Sequence, residues 1–379
     1  MFKLTVLLIQ LAAITCNAFW DLNDVSYLMP LPKEIGTDHL LKADSNSGKG
    51  NLLPATYYEA LPRLTTELTP QEIKNNLRAI AVRIDPCFTM PSPEKCQKQI
   101  RIVWQILRKD SKQQIETIDA AYHSFYVLTD DQFNQLTDNL IAWKHKYAVP
   151  TKGLPLQVHP AWKTNDKQIV SLIDFNNIIL KFASEQNISR ITAMTVRNLG
   201  QTWGFIGADI LNQKLAILEI PRVHSNAQIF VNQSNPATEF LGQISPQPVG
   251  TDTLNHLISN SKLLKTENEQ TIKDELSAIY RIENPHAFNP NTMDCVSCHT
   301  AGIAKEWLKK NRADLDTTDI FFKYAYTQSA YNLNNTSDNL NNTQNIRAFG
   351  YYQKTTAISQ RTINESAEVA NFLNSFLGN

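Results

Sequence analysis

The sequence predicts an α+β body followed by a small, mainly α-helical C-terminal domain. Three observations carry this. Short apolar runs with a period of two occur around residues 80–84, 122–128 and 191–231. Helical runs with N-terminal cap signals lie between them. From residue 266 onward the patterns are helical, at 267–282, 302–310 and 365–377. The chain has 379 residues, enough for two or three domains. A hydrophobic content of 42% with 19% charged residues fits an ordinary globular core.

Residues 1–18 read as a secretory signal. Lys3 supplies the positive start, residues 4–14 form an apolar run broken by Gln10, and Cys16-Asn17-Ala18 places cleavage after Ala18. The run is shorter than the ~20 residues a membrane span needs, and no later segment reaches that length, so a transmembrane chain is not expected. Export to the periplasm is. Cys16 is alternatively a lipoprotein anchor, although Thr15 rather than Gly or Ala precedes it.

Residues 19–68 are rich in Pro, Leu and Tyr and read as an extended lead-in, with 24–32 able to lie along the body. The α+β domain follows over 69–265. Thr69-Pro70-Gln71-Glu72 is a capping box that starts a helix reaching about Leu77. Ile80, Val82 and Ile84 alternate as a strand. Residues 100–107 fit both periods and are assigned to a strand. Residues 122–128 give another. Thr129-Asp130-Asp131 caps a helix to about Lys144, with Phe133, Leu136, Leu140 and Trp143 on one face. A helix covers 166–185, and strands at 191–198, 203–210, 215–220 and 228–231 follow. Helices at 253–264 and 267–282 lead into the C-terminal domain, 266–379. Residues 331–345 are Asn-rich and read as an exposed loop.

Charge excludes some classes. Lys+Arg and Asp+Glu are each 36, so the formal charge is zero. A general nucleic-acid binder or a binder of anionic membranes needs a positive excess. No phosphate loop, dinucleotide fingerprint or metalloprotease helix is present. Tyr122-His123-Ser124 does not read as a catalytic pair, because neighbouring strand residues point to opposite faces.

If Cys16 leaves with the signal, Cys87, Cys96, Cys295 and Cys298 remain, in two local pairs. An oxidising compartment pairs thiols or binds them to something. Cys87 and Cys96 flank a loop holding Pro91 and Pro93 and read as a local disulfide, contributing about 2–3 kcal/mol. Cys295-Val296-Ser297-Cys298-His299 is the c-type haem attachment signature. Two thiols three positions apart each add to one vinyl group of the same haem, and the adjacent His supplies the proximal iron ligand. Chance places this pattern in such a chain about 0.001 times.

Rival readings are a thioredoxin-like redox pair, a zinc site completed by His286, and a plain disulfide. The first lacks a proline anywhere after Pro290. The second makes tetrahedral partners of adjacent Cys298 and His299. No Met and no His follows His299, so a protein-derived sixth ligand comes from upstream or from a less usual donor. His286 is either a surface histidine beside Pro285 or that distal ligand. Met293 sits too close to Cys295 to fold over the far face. Met194, His256, His224 and His159 read more readily as core or surface residues.

The motif and the last helix, 365–377, make residues 285–379 resemble a monohaem c-type cytochrome domain. The whole chain is similar to a group of exported proteobacterial proteins bearing one C-terminal haem motif. That likeness rests on Asp85-Pro86-Cys87-Phe88, on Arg281-Ile282-Glu283-Asn284-Pro285-His286 and on Asp294 through His299. It carries no activity with it. It implies one covalently attached haem c and a cytochrome c-like fold for the C-terminal domain. The expected function is single-electron transfer with a periplasmic redox partner. The alternative is a peroxidase-like haem enzyme or gas-binding sensor with an open iron position.

Overall fold

Alternation of β-branched and aromatic residues on long segments favours a pleated surface that can bury both faces. In the computed structural model, ten such segments form one antiparallel sheet. The structure describes residues 19–89, 96–163, 168–197, 201–233, 239–337 and 346–377. The signal-peptide reading, Cys16 included, lies outside them, as do residues 338–345 of the Asn-rich stretch.

The strands are β1 (Ser26–Leu28), β2 (Leu77–Thr89), β3 (Cys96–Lys109), β4 (Ile115–Thr117), β5 (Ala121–Leu128), β6 (Ile188–Arg197), β7 (Thr202–Leu211), β8 (Lys214–Ile217), β9 (Ala227–Asn232) and β10 (Gly242–Ser245). Their order is β1-β2-β3-β5-β6-β7-β9-β10, with β4 on β3 and β8 on β7. A second sheet is the hairpin β11 (Phe349–Tyr352) and β12 (Thr355–Ile358). Cys87 and Cys96 are joined as a disulfide between β2 and β3.

Each face of the sheet has its own cover. On β5, Tyr122 and Tyr126 donate their hydroxyls to the carbonyls of Tyr58 and Leu52 in the lead-in. Ser124, on the same face, accepts from the Trp104 indole of β3 at 2.8 Å. His123 and Phe125 therefore face the other way. Helices Asp130–Lys146 and Gln168–Phe182 pack on each other, and the first also packs on β3 and β5. The Thr129 capping box starts the first, and the Thr69 box starts helix Pro70–Asn76. The lead-in is irregular but buried: Leu22, Leu28 and Leu52 are fully enclosed.

The expected fold class, an α+β N-terminal body with a separate, small, mainly α-helical cytochrome c-like domain behind it, is contradicted. The chain builds a large sheet of ten strands, a two-stranded sheet and, among the described residues, eleven α-helices. Residues 266–377 form no separate helical bundle. Helices Glu269–Glu283, Cys295–Asn311 and Gln360–Leu377 pack on one another, and the last packs on β2. Ser26 and Ser366 hydroxyls meet at 2.7 Å, and Arg83 reaches Glu365 at 2.9 Å. The hairpin is tied in likewise. Gln105 of β3 donates to the Tyr351 carbonyl and accepts from the Tyr351 amide, both at 2.8 Å. One hydrophobic core runs through all of this, from Trp20 to Leu373. The closing helix is covered jointly by helix Leu22–Val25, by β2 and by helices Glu269–Glu283 and Cys295–Asn311, rather than by a miniature helical core of its own.

Gly350 shows how tightly the hairpin docks. Its φ is +148°, and a Cβ there would meet Gln105 Oε1 at 2.5 Å and Ile80 Cδ1 at 2.9 Å. Gly350→Ala is expected to cost about 2–4 kcal/mol from backbone strain and overpacking. Urea denaturation measures this, and an unchanged midpoint would contradict the docking.

Candidate functional site

The haem-signature residues occupy the start of helix Cys295–Asn311. Asp294 is its N-cap, accepting from the Ser297 amide at 3.0 Å. Gln228 of β9 pins this turn to the sheet. Its Nε2 donates to Asp294 Oδ2 at 2.9 Å, and its Oε1 accepts from the Val296 amide at 3.0 Å. Gln228 is fully buried, so both bonds are shielded from water. The first turn of the helix is thus held at a fixed height over the sheet.

Between that turn and the sheet lies a cavity of about 410 Å³. This is within the range of roughly 300–1,000 Å³ typical of small-molecule and cofactor sites. Cys295, Cys298 and His299 all line it. Both thiols are free and half-buried. Burial pushes the Cys295 thiol far up and the Cys298 thiol up to about 11. Neither is a ready thiolate, which disfavours a redox-active pair.

The His299 imidazole is oriented from behind. Its Nδ1 lies 2.7 Å from the Ile346 carbonyl oxygen. A carbonyl only accepts, so Nδ1 carries the proton and Nε2 keeps a free lone pair. The ring also packs on Phe205 of β7, centroids 4.9 Å apart. Burial lowers its pKa to about 4, which keeps the ring neutral near pH 7. Metal-ligating histidines are characteristically held in this way, through the nitrogen that does not bind the metal.

The opposite wall is the sheet face that carries His123 and Phe125. Register aligns Arg83, Arg101, Phe125, Arg190 and Asp209 in one row across β2, β3, β5, β6 and β7. Val103, His123, Thr192 and Gly207 form the next row, and Met194 and Phe205 stand beyond it. His123 Nε2 is buried without a hydrogen-bond partner. Burial, reinforced by Arg347 and His299, drives its pKa well below the usual imidazole value.

One corner is ionic. Arg83 and Arg361 hold Glu365 at 2.9 and 2.7 Å, and Arg101 holds Asp85 at 2.9 Å. Burial raises the Glu365 carboxyl, but Arg361, Arg83 and Arg101 outweigh it and hold it well below the usual carboxylate range. Three guanidiniums meet two carboxylates there, which leaves a positive surplus suited to an anionic group.

The sequence had nominated other residues. His286 does not face this cavity. It is 64% exposed at its side chain, pairs with Glu368 at 2.9 Å and packs on Tyr326. Of its two readings, the geometry matches the surface histidine; the distal-ligand role and a place in a zinc site lack geometric support. Met194 and Met293 do line the cavity; His224, His256 and His159 do not. His224 is exposed beside Glu219, and His159 stacks on Tyr27 with centroids 5.0 Å apart. Sequence reasoning missed His123, Gln228 and the arginine corner. Alternation along 122–128 already set His123 opposite Tyr122 and Ser124, which was the available signal.

His159 gives a pH prediction. It is fully buried, and desolvation lowers its pKa to about 3. The unfolded chain takes a proton near pH 6.5 that the folded chain refuses. Stability from this group is therefore complete above pH 6.5 and is lost as pH falls toward 3. Between pH 7.5 and 5 the loss is about 2 kcal/mol. Urea titrations of wild type and His159→Phe should show the variant losing that much less; equal losses would refute the assignment.

Among the described residues, no helix is long and apolar enough to cross a membrane. Nor does any group of three or more His, Cys, Asp or Glu side chains form a cage for a bare metal ion. No family model matches the chain, and no curated protein or solved structure is significantly similar to it.

Proposed function

We propose that this chain is an exported protein that holds one c-type haem in the cavity and transfers single electrons. The observation that carries the reading is the convergence of Cys295, Cys298 and His299 on one cofactor-sized space. Cys295 and Cys298 would each form a thioether by adding S–H across a vinyl group. His299 would supply the proximal ligand through Nε2, with Ile346 fixing its tautomer. Arg83, Arg101 and Arg361 surround the corner best suited to the propionates. The bound iron would supply a reversible ferric–ferrous couple. Val103, Phe125, Phe205 and Met194 make the wall largely apolar, and that shields the couple from water.

The periplasm is the fitting compartment, since haem is attached after export and the Cys87–Cys96 disulfide suits an oxidising medium. Potentiometric titration of the purified protein, made in a host with haem-ligation machinery, tests the activity. The reading expects a reversible one-electron couple in the visible spectrum. Rapid peroxide turnover with no stable couple would overturn it in favour of catalysis.

A further inference from the structure

We propose that His123 is the second axial ligand, so that the iron sits between one histidine on the motif helix and one on the sheet. This rests on the haem reading above and deepens it. No Met or His follows His299 in the sequence, so a histidine or methionine ligand comes from upstream. His123 lines the same cavity from the central strand β5, across from the motif helix.

The decisive feature is the lack of any hydrogen-bond partner for His123 Nε2 although it is buried. Native structures rarely leave a buried polar atom unmet. Coordination to a metal satisfies such a nitrogen, and the neutral imidazole is the form that ligates. His159 also has an unmet Nε2, but it lies in an aromatic cluster with Tyr27 and Trp162, outside the cavity. Met194 and Met293 share the cavity, yet a thioether sulfur needs no partner, and Met293 already accepts from Arg222 at 3.3 Å. His286 is turned to Glu368 on the surface.

Two protein ligands close the iron to small molecules, which favours electron transfer over the open-site alternative. The test uses the holoprotein. Intact mass first establishes that porphyrin is attached; its absence defeats the haem reading itself, separately from this inference. With haem present, the ferric protein should be low-spin, with the near-infrared charge-transfer band of bis-imidazole ligation. The ferrous protein should not bind carbon monoxide. His123→Ala should keep its covalent haem, become high-spin, bind carbon monoxide and return to low-spin on adding imidazole. Met194→Leu and Met293→Leu should stay low-spin. His123→Met covers the case in which the alanine variant fails to fold, and should move the band to the methionine position. A high-spin wild type, a methionine-type band in the wild type, or a low-spin His123→Ala protein without added imidazole would each overturn the proposal.

Discussion

Replacing both Cys295 and Cys298 with serine is expected to give a chain that folds but carries no covalent porphyrin. Gln228 and Asp294 place the helix start without using either sulfur. The two positions are half-buried, and serine is smaller than cysteine, so the fold tolerates the change. The cofactor then binds only through His299 and the cavity walls, and denaturing conditions release it. A ligand that binds only the native state adds RT ln(1 + [L]/Kd) to its stability. A tethered haem acts at very high effective concentration, so the serine variant should also melt well below the wild-type holoprotein. Denaturing gels stained for haem peroxidase activity, together with thermal melts, check both outcomes. Haem that stays on the serine variant through denaturation would contradict the assignment.

The second large effect lies behind the motif helix. Lys305 donates to Glu283 across the interface between helices Cys295–Asn311 and Glu269–Glu283, and both side chains are buried, at 7% and 4% exposure. Lys305→Met removes the cation but leaves a buried carboxylate without its counter-charge. Breaking a buried pair from one side costs about 3–5 kcal/mol. Replacing Glu283 as well, with Leu, removes the stranded charge and should recover most of the loss. A double-mutant cycle in urea reads the coupling directly. A single-variant loss no larger than that of an exposed pair, about 0–1 kcal/mol, would show that the pair is not sealed from water.

How much of this was legible in the sequence depends on the range of the interaction. The capping boxes at Thr69 and Thr129 are complete within four residues, and both helices start where expected. The alternation at 122–128 and at 203–210 marks β5 and β7. The ambiguous stretch 100–107 is strand, inside β3. The hairpin of β11 and β12 was missed, because its turn at Gln353-Lys354 lacks the usual Asn-Gly signal although Gln353 adopts a φ of 53°.

The fold class failed for a different reason. Helical periodicity shows that a helix has an apolar face, but not what covers it. The pairs that dock the closing helix, Ser26 with Ser366 and Arg83 with Glu365, are 340 and 282 residues apart. The site divides in the same way. Its near wall takes Cys295, Cys298 and His299 from one five-residue motif with local chemistry. Its far wall gathers Arg83, Arg101, His123 and Met194 from four strands, and only register brings them together. His286, weighed as a surface histidine or a distal ligand, lies in the turn after helix Glu269–Glu283 and pairs with Glu368, away from the cavity.

Peptide mapping of the mature protein tests the central claim most directly. After reduction, alkylation and proteolysis, the peptide containing Cys295 through His299 should carry one porphyrin on both sulfurs and resist alkylation. Recovery of that peptide with Cys295 and Cys298 both alkylated, from a host competent to attach haem, would contradict the account.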